Sequence, residues 1–286
     1  SMIMENCILY LMNVLDENDL FSYIERMIKK NFSKKGNDVV DSNINAVRES
    51  KDGLVKVDLD ELDSSYCMEK IDDSIFSYLE HAKGNELKVS AFKDNADGTY
   101  EAGLSKLEKR GLSSITPCYD KDKCIMCNLC SFVCPHAVVR PYLLDKDEVL
   151  NAPDSVKSDL KDAKIKDKDL SFTIGISPLD CTGCSLCAEV CPTKALVMDS
   201  IDKNKDKEME KHEYLEKVSE KRVMDVNTVK GSQFRKPLFS FHGACAGCGE
   251  TSYIKLLTQL FGDNLMIANA TGCSSIYGAS LPNTPY

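Results

Sequence analysis

One cysteine pattern occurs twice in the chain, and it constrains the fold more than any other feature. Residues 124–135 and 181–192 both read C-x2-C-x2-C-x3-C-P, and the two copies start 57 residues apart. Each proline is followed by a short apolar stretch, at 137–139 and at 195–197. Because the cysteines and their flanks repeat together, the sequence predicts a duplicated structural unit.

This spacing is the one by which bacterial ferredoxins hold [4Fe–4S] clusters. Three thiolates at intervals of three residues wrap a loop around one cluster, whereas the fourth points away and ligates the other cluster in two-cluster ferredoxins. The proline fixes φ and removes a backbone donor, which turns the chain away from the cluster. The predicted ligands are Cys124, Cys127, Cys130 and Cys191 for cluster 1, and Cys181, Cys184, Cys187 and Cys134 for cluster 2.

Zinc sites and disulfides are the alternatives to clusters. Zinc usually takes two CxxC pairs separated by a long gap, not triplets that end in C-P. A disulfide framework is typical of small secreted proteins. We expect no signal peptide in this chain of 286 residues, and eight of its 14 cysteines already serve as predicted ligands. The pattern therefore indicates iron–sulfur clusters in a reducing, cytoplasmic environment.

The charge of the chain bears on its partners. The formal net charge is −9, and no long basic run occurs, so we expect no nucleic-acid partner, because binding of phosphates requires a basic patch. No apolar run approaches the ~18 residues of a membrane span, so we expect no membrane segment. The leading Ser1-Met2 is typical of a cloning remnant, and we expect the chain to be a piece of a larger protein.

The first 60 residues read as the tail of an α/β domain. Residues 7–12 are apolar and are followed by polar residues, which predicts a buried strand. A helix is predicted over 20–31, capped by Asp16 or Asn18, and a second over 37–48.

The segments around the cluster motifs are more polar. A helix is predicted over 66–83, within a connecting stretch. Cys118 lies outside the regular spacing of the cysteine triplets and is interpreted as a non-ligand. Residues 145–169 are rich in Lys and Asp and predict a surface insertion, and residues 199–224 predict an exposed linker helix.

After residue 231 the sequence becomes richer in glycine and in apolar residues. A glycine-rich stretch contains the CxxC pair Cys245 and Cys248, and a helix is predicted over 253–261. Residues 265–270 predict a buried parallel strand with Cys273 just beyond its end, the edge at which α/β sheets bind cofactors. The three cysteines are candidate ligands of a third cluster whose fourth ligand is absent from the chain. CxxC pairs also occur in redox dithiols and zinc sites, which remain alternatives.

Taken together, these stretches resemble the central segment of the pyruvate:ferredoxin (flavodoxin) oxidoreductases. The resemblance covers nearly the whole chain from about Glu5. It depends on both cluster motifs and on residues 34–47, 96–99, 108–111, 229–234, 243–251, 270–276 and 282–285.

The resemblance implies an α+β chain, in which a two-[4Fe–4S] bacterial-ferredoxin-like domain is flanked by partial α/β domains. Residues 1–60 resemble the end of a gamma-type domain, and residues 61–112 resemble a bridging segment. Residues 113–235 resemble the ferredoxin domain with a charged insertion and a linker. Residues 236–286 resemble the start of a thiamine-diphosphate-binding domain.

The resemblance also implies roles for individual residues. Cys245, Cys248 and Cys273 match ligands of the cluster nearest thiamine diphosphate, and Glu250 and Cys273 match positions that line this cofactor. The fourth cluster ligand, the magnesium-binding motif and the pyruvate-binding residues match nothing in the chain. No catalytic residue is therefore expected in this segment.

The reaction implied by the resemblance converts pyruvate and coenzyme A to acetyl-CoA and CO2, with thiamine diphosphate and Mg2+ as cofactors. Electrons would leave through the clusters to ferredoxin or flavodoxin, and the full-length enzyme is expected to be a homodimer. The segment alone is not expected to turn over pyruvate. The alternatives are a pyruvate:NADP oxidoreductase and a stand-alone two-cluster ferredoxin. Residues 243–251 and 270–276 argue against the second alternative, because a simple electron carrier needs neither.

Overall fold

The computed structural model describes residues 2–56, 74–99, 103–166 and 168–279. The chain divides into two compact units, 1–70 and 71–286. The helices in the described ranges are α1 (Met2–Met12), α2 (Glu17–Phe32), α3 (Asn37–Glu49), α4 (Ile75–Glu80), α5 (Leu129–Val133), α6 (Lys146–Leu150), α7 (Asp154–Lys157), α8 (Leu186–Glu189), α9 (Lys205–Leu215), α10 (Val229–Ser232), α11 (Thr251–Phe261) and α12 (Cys273–Ala279). The strands are β1 (Ile115–Tyr119), β2 (Val139–Leu144), β3 (Lys161–Asp162), β4 (Ser171–Ile176) and β5 (Leu196–Ser200). Where the structure is described, no helix combines the length and apolarity needed to cross a membrane.

The first unit packs α1, α2 and α3 against one another. The predicted helices over 20–31 and 37–48 are confirmed, and the Asp16 carboxylate caps α2 by accepting hydrogen bonds from the backbone N–H groups of Asn18 and Asp19 at 3.0 and 3.1 Å. Apolar residues at helical spacing form the core between α2 and α3, namely Leu20, Ile24, Ile28, Val40, Ile44 and Val47.

The strand predicted over 7–12 is wrong, because these residues continue α1. A short apolar run does not by itself distinguish a strand from a helix. The helix is anchored by the Asn6 amide, which donates to Ser50 Oγ at 3.0 Å, and it leaves Leu11 68% exposed. The helix predicted over 66–83 lies partly outside the described residues, and α4 accounts for its described part.

The second unit contains the duplicated motif predicted from the sequence. Each copy supplies a strand, a cysteine loop, a short helix and a second strand: β1, α5 and β2 in the first copy, and β4, α8 and β5 in the second. β1 pairs antiparallel with β5, and β2 pairs antiparallel with β4. Each pairing therefore joins one strand from each copy, and the two copies depend on each other for backbone hydrogen bonds.

The insertion over 145–169 is not a loose surface segment. A capping box starts α6, because Asp145 and Glu148 each accept from the other's backbone N–H at 3.0 Å. α7 follows, and β3 pairs with β4 at the edge of the sheet. Val156 is fully buried in a small apolar cluster with Leu144 and Leu215.

The helix predicted within 199–224 is confirmed over Lys205–Leu215, but the prediction that it is exposed is wrong. This helix, α9, packs against β4 and buries Lys211, His212 and Leu215. The Lys211 ammonium lies 2.6 Å from the Asp159 carboxylate of the insertion. Charged residues therefore belong to the interior of this part of the fold, because they are paired with each other.

The C-terminal segment departs from the predicted α/β pattern at one place. The helix predicted over 253–261 is confirmed as α11. The strand predicted over 265–270 is wrong, since these residues adopt no regular secondary structure, and Met266 is 99% exposed. No strand in the described residues lies beside this stretch to supply ladder hydrogen bonds. Partial α/β domains on either side of the ferredoxin-like core are therefore not confirmed.

Candidate iron–sulfur sites

The eight cysteines of the repeat line two separate small cavities in the second unit. The structure places Cys191, from the second copy, with the triplet of the first copy. Conversely, it places Cys134, from the first copy, with the triplet of the second. The grouping follows from the crossed pairing of the strands. Cavity 1 is lined by Cys124, Cys127, Cys130 and Cys191, and cavity 2 by Cys181, Cys184, Cys187 and Cys134.

The loops around the two cavities have matching backbone conformations. Three pairs of positions, each 57 residues apart, adopt positive φ: Met126 and Gly183, Asn128 and Ser185, and Ala137 and Lys194. These left-handed turns curl each loop inwards. The N–H of Met126 lies 3.4 Å from Cys124 Sγ, and the N–H of Gly183 lies 3.5 Å from Cys181 Sγ. Hydrogen bonds to sulfur are among the features that set the reduction potential of a cluster.

The donor set and the surroundings fit a multi-iron cluster. Burial raises the pKa of the Cys130 and Cys181 thiols to about 12, so bound metal would be needed to hold these sulfurs as thiolates at neutral pH. In the part of the chain that the structure describes, no three His, Cys, Asp or Glu side chains converge tightly enough to hold a single metal ion. The four cysteines of each set line a small apolar cavity, which fits a cluster of several irons.

Two polar atoms in the wall of cavity 1 support this fit. The Tyr119 hydroxyl and the Asn128 side-chain oxygen are buried and make no hydrogen bond within the described protein. Burial and the adjacent Cys124 thiol raise the pKa of Tyr119 above its ordinary value. Buried polar atoms without partners are uncommon, and the hydroxyl can donate to a sulfur atom of a cluster in this cavity.

The third group of candidate ligands is less well formed. Cys245 and Cys273 are exposed and Cys248 is half-buried, and these cysteines line neither cavity 1 nor cavity 2. Glu250 is exposed at the start of α11, and Cys273 begins α12. Glu250 and Cys273 thus lie at helix starts, whereas Cys245 and Cys248 lie in the loop before α11.

The loop between Cys245 and Cys248 nevertheless lies against cavity 2. A side chain at Gly247 would come within 3.5 Å of the Cys184 Cβ. The Nε2 atom of His136, which lines cavity 2, lies 3.3 Å from the carbonyl oxygen of Cys245. The ring of His136 also stacks on that of His242, with centroids 4.5 Å apart.

The segment that precedes β1 also reaches the second motif. Lys109 Nζ lies 2.5 Å from the Asp180 carboxylate, next to Cys181. Ser105 Oγ donates to the carbonyl oxygen of Ser240 at 2.8 Å. This segment therefore contacts both the cysteine repeat and the C-terminal segment.

Sequence reasoning missed one residue close to both cavities, Lys255 of α11. Its side chain is 1% exposed, and burial lowers its pKa to about 8. The signal in the sequence was a lysine that interrupts an apolar stretch of helix, which is also consistent with a solvent-exposed position.

Comparison with known proteins agrees with the geometry. A family model described as a 4Fe-4S dicluster domain matches residues 120–195, and the EKR domain of unknown function matches residues 73–113. The second unit thus contains a two-cluster [4Fe–4S] domain of the ferredoxin type.

Longer proteins match the whole chain. A pyruvate:ferredoxin oxidoreductase of Moorella thermoacetica is 41% identical over 100% of this chain and 25% of its own length. A pyruvate-flavodoxin oxidoreductase of Enterobacter agglomerans is 39% identical over 100% of this chain and 25% of its own length. A pyruvate dehydrogenase [NADP(+)] of Cryptosporidium parvum is 38% identical over 96% of this chain and 16% of its own length.

The chain therefore spans about a quarter of the length of the first two relatives. It is homologous to a segment of the pyruvate:ferredoxin and pyruvate-flavodoxin oxidoreductases.

Proposed function

We propose that this chain is the electron-transfer section of an oxidoreductase that converts pyruvate and coenzyme A to acetyl-CoA and CO2. The observation that supports it most directly is the pair of cysteine-lined cavities with crossed ligand sets, one of which adjoins the Cys245–Cys248 loop. Bound [4Fe–4S] clusters supply transfer of single electrons. The similarity to relatives named for pyruvate supports the substrate.

The residues of the chain have three roles in this proposal. The eight cysteines hold the clusters, and the apolar walls of the cavities exclude water from them. Cavity 2 lies beside the Cys245–Cys248 loop, so we assign it to the side on which electrons enter. Cavity 1 is bordered by Ile125, which is 55% exposed, so we assign it to the side that faces an external acceptor.

The remaining assignments rest on similarity. Cys245, Cys248 and Cys273 are proposed as ligands of a third cluster, and Glu250 and Cys273 as residues that line thiamine diphosphate, which acts with Mg2+. Ferredoxin or flavodoxin is the proposed acceptor, as the names of the relatives suggest. A relative named for NADP+ supports the pyruvate:NADP reaction as the second candidate.

The crossing of ligands gives the first prediction. Cys134→Ala should perturb the cluster of Cys181, Cys184 and Cys187, because Cys134 lines cavity 2 although it belongs to the first motif. EPR of the dithionite-reduced protein should show loss or conversion of one of two cluster signals. Combining Cys134→Ala with Cys187→Ala should remove no further signal, whereas combining it with Cys130→Ala should remove both.

The matched control is Cys118→Ala. Cys118 is a half-buried cysteine in β1 whose sulfur accepts a hydrogen bond from the Asn204 amide at 2.7 Å, and we interpret it as a non-ligand. The Cys118→Ala variant should leave both EPR signals unchanged. If Cys134→Ala and Cys130→Ala remove the same EPR signal, the two cysteines hold the same cluster, and the proposed crossing of ligands is contradicted.

A segment exchange tests the function itself. We expect a chimera, in which this chain replaces the matching segment of the Moorella thermoacetica relative, to reduce methyl viologen with electrons from pyruvate. The expectation follows from the similarity over the whole chain. The assay contains pyruvate, coenzyme A, thiamine diphosphate and Mg2+, with omission of pyruvate as the blank.

Two variants of the chimera serve as controls. Cys184→Ala should reduce the pyruvate-dependent rate to background, whereas Cys118→Ala should not change it. A chimera that assembles its clusters, as judged by iron content and EPR, yet transfers no electrons from pyruvate would contradict the proposed function. A simple electron carrier would give that result.

A further inference from the structure

The buried lysine of α11 lies where the two cysteine sets meet. The Lys255 ammonium donates to the backbone carbonyl oxygens of Ser131, of Phe132 at 3.2 Å and of Cys134 at 3.1 Å. These carbonyls lie at the C-terminal end of α5, where helical carbonyls lack partners within the helix, and that of Ser131 also accepts from the backbone N–H of Cys134. Lys255 therefore caps the short helix that links the two cysteine sets.

The charge of this lysine has no partner among the carboxylates. In the described part of the chain, none of the ion pairs includes Lys255, whereas the other fully buried lysine, Lys211, is paired with Asp159 at 2.6 Å. Carbonyl oxygens offset only part of the cost of removing a charge from water. A buried ammonium at this position is therefore stabilised further by any negative group nearby.

The nearest candidates for that negative charge are the two clusters. Cys130 lines cavity 1 and Cys134 lines cavity 2, and Lys255 contacts the backbone that joins them. A cluster held by four thiolates is negative and gains a further negative charge on reduction. The net charge around a cluster is one of the features that set its potential. A fixed cation at this position favours the reduced form of both clusters.

We propose that Lys255 is a redox-tuning residue, whose buried charge raises the reduction potentials of the clusters in cavities 1 and 2. The proposal rests on the cluster binding proposed above. Lys255 belongs to α11, which follows the Cys245–Cys248 loop in sequence. The C-terminal segment therefore adjusts the electron affinity of the ferredoxin-type domain against which it packs.

The test is an anaerobic redox titration monitored by EPR. Lys255→Gln removes the charge and keeps hydrogen-bond donors, so at a fixed ambient potential the ratio of reduced to oxidised cluster should fall about tenfold. This change corresponds to about 59 mV for a one-electron couple. Lys255→Arg keeps the charge and should retain potentials close to those of the unmodified chain. Lys255→Met is a second neutral variant. Its unbranched apolar side chain fills the same space without a hydrogen-bond donor, so a shift shared by both variants reports the loss of charge.

The matched control is Gln259→Met. Gln259 lies one turn further along α11, is buried, and donates to the carbonyl oxygen of Arg235 at 2.9 Å. It also accepts a hydrogen bond from Gln233 Nε2 at 3.1 Å. Its replacement removes both buried hydrogen bonds of the same helix without changing charge, so the potentials should not move.

Three results would overturn the proposal. The first is a Lys255→Gln or Lys255→Met protein with full iron content and unchanged potentials. The second is an equal shift in Gln259→Met, which would indicate a packing effect. The third is failure of both neutral variants to assemble clusters while Gln259→Met assembles them, which would assign Lys255 a structural role. Absence of clusters from the unmodified chain would instead contradict the proposed function.

Discussion

Removal of iron is expected to unfold the two-cluster domain while the first helical unit stays folded. The cysteines are part of the main apolar core of the second unit: Cys134, Cys181 and Cys187 are buried in it, and Cys124 and Cys130 pack against it. Loss of the clusters would leave two cavities lined by buried thiols in the middle of the domain. The strands on either side would lose the packing contacts that the clusters and their ligands provide.

The magnitudes indicate complete unfolding of this domain. A structural metal site contributes on the order of 10 kcal/mol to the folding of a small domain, and whole domains are stable by only about 5–15 kcal/mol. The stability that remains without iron is therefore expected to be near zero. α9 packs on β4, so we expect it to lose its structure together with the sheet.

Hydrogen–deuterium exchange before and after anaerobic chelation measures this. Amide protection should vanish across β1, β2, β4, β5 and α9. α2 and α3 provide the internal control, because their core consists of aliphatic side chains and contains no predicted cluster ligand. Retention of protection in the strands after complete loss of iron would refute the prediction.

The features that sequence reasoning predicted correctly are local or repeated. The cysteine spacing is rigid, so two copies at a fixed interval predict a duplicated unit with paired cysteine loops. The apolar spacing and the Asp16 cap predict α2 within a few residues of its ends. In both cases the residues that determine the structure are close to one another in the sequence.

The features that it missed depend on partners remote in sequence. Residues 7–12 and 265–270 are short apolar runs, whose conformation is decided by the surfaces available to cover them. The composition of the charged stretches predicts exposure, because Lys and Asp are rarely buried unless paired. Asp159 and Lys211 lie 52 residues apart, so their pairing is visible only in the folded chain. Lys255 was missed for the same reason, since its partners are backbone carbonyls of a different segment.

Loss of the Asp159 carboxylate should open the contact between the insertion and α9. The Lys211 side chain is fully buried and that of Asp159 is 11% exposed. Burial opposes ionisation of Asp159, but the charges and hydrogen bonds of Lys211 and Lys207 together outweigh it and lower the pKa of the carboxyl below its ordinary value. Among the described residues, Asp159→Ala would leave Lys211 with one carboxylate within 4 Å, that of Glu208 at 3.9 Å, and burial raises the pKa of Glu208. Breaking a buried pair in this way costs about 3–5 kcal/mol.

Amide exchange of α9 in the iron-loaded protein checks this expectation, because it reports local opening without global unfolding. A loss of about 3 kcal/mol corresponds to a decrease in protection of roughly a hundredfold. The matched control is Asp169→Ala. Asp169 pairs with Lys146 at 2.8 Å, and the two side chains are 79% and 80% exposed. Exposed pairs contribute little, so α9 should be unaffected. Adding Lys211→Met to Asp159→Ala should restore much of the protection, because it removes the buried ammonium that Asp159→Ala leaves without its main partner. Equal effects of Asp159→Ala and Asp169→Ala would show that burial of the Asp159–Lys211 pair does not stabilise the docked helix.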